Sequence, residues 1–331
     1  MRSIAIVDTS IYSDNIGDNI IMDSVNKTIE NFFSQSYISR IPSHERNSDM
    51  GRRMVESSEI CFVGGTNILS SNISPSGQWK LYNEDIEAFS KTDTVTIGVG
   101  WNAYGDSLEE GSREKLKEIL SGKFQHSVRD RYTEKMLSRC GINSIFTGCP
   151  TTWSLNKRHC ESIPTTKADS VVFTLTEWRK DPQRDKKFIK IIKSLYKNVY
   201  FFSQMYMDYE YLNSLGEENI KVVSPTLSGF DSFLNNEDVD FIGTRLHGGI
   251  RALQKGKRTL IISVDNRAVE MGRDMNLPVM DRSEVDMLLE EWCLSHQKTD
   301  IKIPSDNVSR FLCQFDLSLS CDAIMNIYSE K

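Results

Sequence analysis

The stretch DFIGTRLHGGIRALQKGKRTLIISV, residues 240–264, contains one complete strand–turn–helix–strand unit. An apolar strand leads into a turn with Arg245 and His247, and Gly248 and Gly249 precede a short helix and a second apolar strand. In open α/β sheets, ligands bind where such turns leave the carboxyl ends of strands. A helix N-terminus adds backbone N–H groups and the positive end of a dipole. We therefore predict an anion site at this turn.

Strand-like and helix-like segments alternate through the rest of the chain, which predicts mostly parallel sheets. The stretch 156–169 is polar and aperiodic, so we interpret it as a linker. The predicted fold is α/β, with two Rossmann-like domains, 1–160 and 161–331, facing a cleft. A last helix, 308–328, is expected to pack back on the first domain. The other predicted strands are 4–7, 59–63, 94–99, 126–128, 144–147, 170–176, 198–203 and 220–223.

Composition restricts the class of protein. The chain has 331 residues, 39% hydrophobic and 26% charged, as in soluble globular proteins, and its net charge of −6 gives no reason to expect nucleic acid. Seven cysteines without a CxxC pair argue against a disulfide framework or a zinc site. The start, MRSIAIVDTS, lacks a signal-peptide core. We expect a cytoplasmic protein, a location compatible with contact at the inner face of a membrane.

Glycine and polar residues follow several predicted strands. Gly64 and Gly65 come after one strand, and Asn15 and Asp18 lie in the loop after the first. Glycine lets a backbone approach a ligand closely, although parallel strands also use it simply to turn. Neither GxGxxG nor GxxxxGK[ST] occurs, so a dinucleotide fingerprint and a Walker loop are both unsupported.

Four charged or aromatic positions have two interpretations each. Asp18 is either a helix N-cap or a carboxylate available for acid–base chemistry. Arg129 is either a ligand-binding cation or half of a surface pair with Asp130 or Glu134. His247 is either structural or part of the anion site. The run 177–180, EWRK, either stacks on a sugar through Trp178 or is an ordinary exposed loop.

Seven short motifs follow one another along the chain in a recognisable order. They are Asn15-Ile16-Gly17-Asp18, Gly64-Gly65, Gly98-Val99-Gly100, Ser127-Val128-Arg129-Asp130, Gly148-Cys149-Pro150, Thr244-Arg245-Leu246-His247 and Ser263-Val264-Asp265-Asn266-Arg267. Together they resemble the polysaccharide pyruvyl transferase family. The resemblance implies a two-domain architecture of the GT-B type. It also implies transfer of pyruvate from phosphoenolpyruvate to two hydroxyls of a sugar, giving a cyclic ketal and phosphate.

The resemblance also implies roles for single residues. Arg129, Arg245 and His247 match positions that bind the donor or catalyse transfer, and Asp18 is a candidate for activating a hydroxyl. Asn15 and the glycines 64, 65, 248 and 249 are expected to line the substrate site. The first domain would hold the acceptor and the second the donor. No metal or cofactor is required. The expected partners are phosphoenolpyruvate and a saccharide, with a lipid-linked precursor as one option; the oligomeric state is open.

Three positions depart from the family pattern. Thr66 replaces a common glycine, Cys149 a common aspartate, and Arg267 a common lysine. Two alternatives to a pyruvyl transferase stay open, the second of them because of Thr66 and Cys149. One is a GT-B-type glycosyltransferase that uses a nucleotide sugar, because an Arg/His pair also suits a diphosphate. The other is a non-catalytic glycan-binding relative.

Overall fold

The computed structural model describes residues 1–105, 108–109 and 111–315, which form two compact units. Unit 1 contains Met1–Ser13, Ile21–Trp153 and residues 303–315. Unit 2 contains Asp14–Ile20 and the chain from Ser154 to Lys302. Among the described residues, no helix is long and apolar enough to cross a bilayer.

Each unit is built on parallel strands. In chain order the strands are β1 Arg2–Asp8, β2 Ser36–Pro42, β3 Ile60–Gly64, β4 Asp93–Ile97, β5 His126–Val128, β6 Ser144–Phe146, β7 Ser170–Thr174, β8 Asn198–Phe202, β9 Lys221–Val223, β10 Val239–Gly243, β11 Thr259–Ser263 and β12 Val279–Asp281.

Helices connect these strands. They are α1 Ile16–Phe32, α2 Asp49–Glu56, α3 Asn83–Ser90, α4 Ser112–Ile119, α5 Arg131–Arg139, α6 Lys157–Ser162, α7 Pro182–Leu195, α8 Tyr206–Ser214, α9 Leu227–Asn236, α10 Leu246–Gln254, α11 Asn266–Met275, α12 Val285–Leu294 and α13 Ser305–Cys313. α6 lies within the stretch 156–169 that was interpreted as a linker, and Asn156 caps this helix by accepting a hydrogen bond from the His159 N–H at 2.9 Å.

Unit 1 has a sheet of order β2-β1-β3-β4, and β5 and β6 form a further parallel pair. β5 lies beside the end of β4, since the Gly98 N–H donates to the Ser127 carbonyl at 3.1 Å. Side chains of β1 alternate between two apolar clusters, so both faces of the sheet are covered. α13 packs on one face through Phe311, and Phe315, two residues after the end of the helix, joins the same apolar cluster. The rest of the predicted last helix, from residue 316, lies outside the described residues.

Unit 2 has one parallel sheet of order β12-β11-β10-β7-β8-β9. The chain runs outward from β7 to β8 and β9, then returns to the other side of β7 with β10. The strand order therefore reverses between β7 and β10, and in such sheets a crevice opens outside the carboxyl ends of that pair. Gly243 ends β10 against β7: a Cβ at Gly243 would lie 2.2 Å from the Thr174 hydroxyl oxygen. Only glycine allows the two strand ends to be this close.

Candidate active site

Arg245 follows β10 after one intervening residue, Thr244, at the point where the strand order of unit 2 reverses. Its side chain is buried, with 3% of its surface exposed. The Nε atom donates to Asp208 Oδ2 at 2.9 Å and to the Leu175 carbonyl at 3.3 Å, and Nη2 donates to Asp208 Oδ1. The guanidinium also lies 3.9 Å from the centroid of the Trp178 ring. A forked ion pair and an aromatic face thus fix this cation in one orientation.

Asp208 links three strand ends to one another. Besides Arg245, this fully buried carboxylate accepts hydrogen bonds from the backbone N–H of Glu177, at 3.1 Å, and of Met205, at 3.1 Å. Glu177 follows β7, Met205 follows β8 and Arg245 follows β10. Each oxygen of Asp208 therefore accepts both from the backbone and from Arg245, which makes Asp208 a positioning residue for that arginine.

The charges of Asp18, Arg245 and Arg267 are close enough to affect one another. Burial lowers the pKa of Arg245 below its ordinary value, and the Asp208 and Asp18 carboxylates only partly offset that effect. Burial also acts to lower the pKa of Arg267, but attraction by Asp265 and Asp18 outweighs it and raises the pKa. Asp18 thus acts on both guanidinium groups. Both remain charged, because arginine does not deprotonate in proteins.

The motif that begins at Asn15 packs with unit 2, although it lies near the start of the chain. The Ile16 N–H donates to the Gln204 carbonyl at 2.9 Å, and Asn15 Oδ1 accepts from the Gly17 N–H at 3.0 Å and from Gln204 Nε2 at 3.1 Å. α1 begins at Ile16, so Asp18 lies in its first turn and is buried. The interpretation of Asp18 as an N-cap is therefore wrong. A carboxylate in a first turn is still favoured by the helix dipole.

His247 is the second residue of α10 and is 5% exposed. Gly248 and Gly249 also lie in this helix rather than in a preceding turn. A Cβ at Gly249 would lie 2.5 Å from Ile261 Cγ1, and one at Gly248 would lie 2.9 Å from Gln204 Oε1. Both glycines thus let α10 pack closely on its neighbours, and a direct contact of either with substrate stays a prediction.

Arg129 belongs to unit 1 and is also buried, with 1% of its surface exposed. Its Nε donates to Asp130 Oδ2 at 3.0 Å, and its Nη1 donates to Asn67 Oδ1 at 2.6 Å. The pair with Asp130 exists, but it is not the surface pair of the alternative interpretation. A Cβ at Gly100 would lie 2.2 Å from Arg129 Cζ, so the guanidinium packs directly on that glycine. A contact of Arg129 with the donor stays a prediction.

The other predicted glycines of unit 1 pack against α1. A Cβ at Gly64 would lie 2.7 Å from Met22 Sδ, and one at Gly65 would lie 2.3 Å from Ile21 Cγ2. The following residue, Thr66, has φ of 71°, in the left-handed region that disfavours a β-branched side chain. A glycine at position 66, as in the family pattern, would be free of this strain.

Cys149 is a buried free thiol in unit 1. Burial raises its pKa, and hydrogen bonds from Thr151 and the charge of Arg129 offset only part of that rise. The residue is therefore protonated at neutral pH and unreactive.

Three residues of the unit 2 site were not among the predicted site residues: Asp208, Gln204 and Arg267. Gln204 lies two residues after the end of β8, so its position just past an apolar strand was a usable signal. Arg267 ends the last of the seven motifs, where it replaces a lysine that is common in the family pattern. Asp208 lies inside the run YMDYEY and carries no comparable signal.

The two Rossmann-like units place the chain in the class of GT-B-type proteins, as predicted. S. aureus MnaA, solved with UDP, is similar at 11% identity and a TM-score of 0.56, over 92% of this chain and 92% of that one. Methanocaldococcus jannaschii UDP-GlcNAc 2-epimerase, solved with UDP-GlcNAc and UDP, is similar at 13% identity and a TM-score of 0.51, over 92% of this chain and 95% of that one. At these identities the likeness shows the fold alone. Among the curated proteins, none matches this chain.

A family model narrows the class. The model described as polysaccharide pyruvyl transferase matches residues 15–266, from Asn15 of the first motif to the start of α11. The chain therefore belongs to the polysaccharide pyruvyl transferase family and is a transferase, which confirms the resemblance seen in the sequence motifs.

Proposed function

We propose that this transferase moves the pyruvyl group of phosphoenolpyruvate to two hydroxyls of a sugar in a cell-surface polysaccharide or its precursor. The products would be a cyclic ketal and phosphate, and the reaction would take place in the cytoplasm. The observation that carries the proposal is Arg245, a buried and rigidly held cation at the strand reversal of unit 2. Its Nε and Nη2 bind Asp208, whereas for Nη1 no protein partner is recorded within the described residues.

The charges around Arg245 suit a donor with two anionic groups. Phosphoenolpyruvate carries a carboxylate and a phosphate, and arginine binds either group through paired N–H donors. Arg267 supplies a second cation in the same electrostatic environment. α10 begins at Leu246, directly after Arg245, which makes no side-chain cap hydrogen bond, so the helix N-terminus adds donors and a positive dipole end.

The proposed reaction requires acid–base chemistry in a defined order. The methylene carbon of the donor gains a proton, and one sugar hydroxyl then bonds to C2. The bond between C2 and the phosphate oxygen breaks, and the second hydroxyl closes the ketal. Two hydroxyl protons are released and one is taken up, so one proton leaves with phosphate. We assign proton delivery to His247 and hydroxyl activation to Asp18; both are buried, and Asp18 acts electrostatically on both arginines.

Trp178 is the proposed platform for the acceptor. Cζ of Arg245 lies 3.9 Å from the centroid of the Trp178 ring, while 44% of the surface of Trp178 stays exposed. An exposed aromatic face suits the apolar face of a pyranose. Such stacking would hold the sugar next to the cation that binds the donor, as the attack on C2 requires.

Donor binding can be tested by thermal denaturation with phosphoenolpyruvate or UDP as ligand. A ligand at 100 times its Kd stabilises a protein by about 2.7 kcal/mol, which gives a measurable rise in Tm. We expect phosphoenolpyruvate to raise the Tm of the wild type and to leave that of Arg245→Ala unchanged.

The matched control is Arg251→Ala, because Arg251 is a buried arginine of α10 that, like Arg245, forms a forked pair with an aspartate, here Asp231. This variant should lose stability and still respond to phosphoenolpyruvate. A rise in Tm with UDP and none with phosphoenolpyruvate would reject the proposal in favour of a nucleotide-sugar transferase.

A further inference from the structure

Gln204 carries a buried hydrogen-bond acceptor that no protein group satisfies within the described residues. The residue is 3% exposed, and its Oε1 has no hydrogen-bond partner there. Leaving a buried acceptor unpaired costs about 1–3 kcal/mol. Buried polar atoms are nearly always paired in folded proteins, so such an atom beside a candidate site points to a ligand.

The orientation of the Gln204 amide is fixed by its neighbours. Asn15 Oδ1 accepts from the Gly17 backbone N–H at 3.0 Å, which identifies that atom as the oxygen of the Asn15 amide. The Gln204 atom 3.1 Å from it must then be the nitrogen, because two carbonyl oxygens would repel each other. Oε1 therefore points away from Asn15.

The unpaired oxygen lies over the first turn of α10. A Cβ built at Gly248 would be 2.9 Å from it, so the absence of a side chain at Gly248 makes room for it. Gly248 directly follows His247, the proposed acid. A group bound by Gln204 Oε1 would therefore lie at the start of α10, where the chemistry is proposed.

We infer that Gln204 accepts a hydrogen bond from a hydroxyl of the acceptor sugar and so contributes to acceptor specificity. The inference rests on the proposed function. Ionised phosphoenolpyruvate has only acceptor atoms, and a carbonyl oxygen repels both of its anionic groups. A sugar hydroxyl supplies the missing O–H donor. A site built to pair with a hydroxyl also discriminates strongly against ligands that lack it.

The test compares Gln204→Met with Gln254→Met by saturation-transfer NMR. Methionine keeps the approximate length of glutamine and removes the amide. Gln254 is the matched control because it lies on α10 and its Oε1 already accepts from Arg251 Nη1 at 2.8 Å. The probes are methyl glucopyranoside, methyl galactopyranoside and methyl mannopyranoside, each titrated with and without phosphoenolpyruvate, whose own Kd is measured in parallel.

At least one glycoside should bind the wild type and Gln254→Met equally, and bind Gln204→Met about fivefold to tenfold more weakly, the range for one lost hydrogen bond. The Kd of phosphoenolpyruvate should stay unchanged in both variants. Equal binding of the glycoside to all three proteins would overturn the inference, as would no binding to the wild type. Weakened binding of phosphoenolpyruvate instead of the glycoside would overturn it too. Sugar binding that depends on Gln204, without any binding of phosphoenolpyruvate, would support the inference and reject the proposed donor.

Discussion

At the scale of single residues, the site depends on carboxylates that hold arginines in place. Asp208 accepts from Arg245 and from two backbone N–H groups, and Asp265 pairs with Arg267. Breaking a buried ion pair by removing one partner is strongly destabilising, because the other charge is left without compensation. Asp208 therefore affects both stability and the geometry of the proposed donor site.

Asp208→Asn tests this positioning role. We expect a loss of about 3 kcal/mol in the free energy of unfolding, at the low end for a broken buried pair, since asparagine keeps part of the hydrogen bonding. We also expect a fall in kcat/KM for phosphoenolpyruvate of about 10-fold to 100-fold, because Arg245 loses its fixed orientation. Chemical denaturation and steady-state kinetics measure the two effects.

Asp231→Asn is the matched control, since Asp231 forms a forked pair with Arg251 of α10 just as Asp208 does with Arg245. This variant should lose stability without a change in kcat/KM. Equal kinetic losses in the two variants would show that Asp208 has no special role.

The sequence predicted the main cations of the candidate site but not the residues that hold them. Arg245 was predictable because it follows an apolar strand in a short recognisable unit, a local signal. The partners of Arg245 come from 37 positions away, at Asp208, and from the turn after β7. Pairings of this kind depend on the order of strands in the sheet, which local patterns do not specify.

At the scale of elements, the sequence analysis placed Gly248 and Gly249 in a turn, but in the structure they lie in α10 and allow close packing. The predicted helix after Gly249 begins earlier, at Leu246, and its two glycines pack closely against Gln204 and Ile261. β2 was missed because only one of its residues is fully buried, a pattern typical of an edge strand. β12, Val279–Asp281, was also missed.

Substitutions of Gly98 and Gly256 separate two costs to stability, the steric clash of an added side chain and the strain of a positive φ. Both have positive φ, 64° and 70°, but a Cβ at Gly98 would lie 2.2 Å from Pro150 Cδ, and a Cβ at Gly256 would meet nothing within 4 Å. Gly256→Ala should cost about 1–2 kcal/mol, the price of a left-handed alanine. Gly98→Ala should cost more than about 3 kcal/mol, because the clash is added to the same strain. Equal losses in urea denaturation would contradict the close packing of Gly98 on Pro150.

At the scale of the whole molecule, the fold class was predictable from the sequence. The assignment of some segments to one or the other of the two units was not. Alternating strands and helices predicted two Rossmann-like domains, and the similarity to GT-B-type structures confirms that class. Residues 14–20, by contrast, were placed in the first domain but pack with unit 2 through Gln204. That association joins residues almost 190 positions apart, and no local pattern carries it.

The central claim is that this family member uses phosphoenolpyruvate to make a ketal on a sugar. The most direct measurement incubates the protein with ¹³C-labelled phosphoenolpyruvate and a panel of hexose glycosides, then follows phosphate release and identifies the labelled product by mass spectrometry. We expect phosphate release that depends on the sugar, and a labelled ketal in equal amount. Both should be lost in His247→Ala and kept in His296→Ala, a control at an exposed histidine. Phosphate release without a labelled sugar product, or equal turnover in the two variants, would contradict the account.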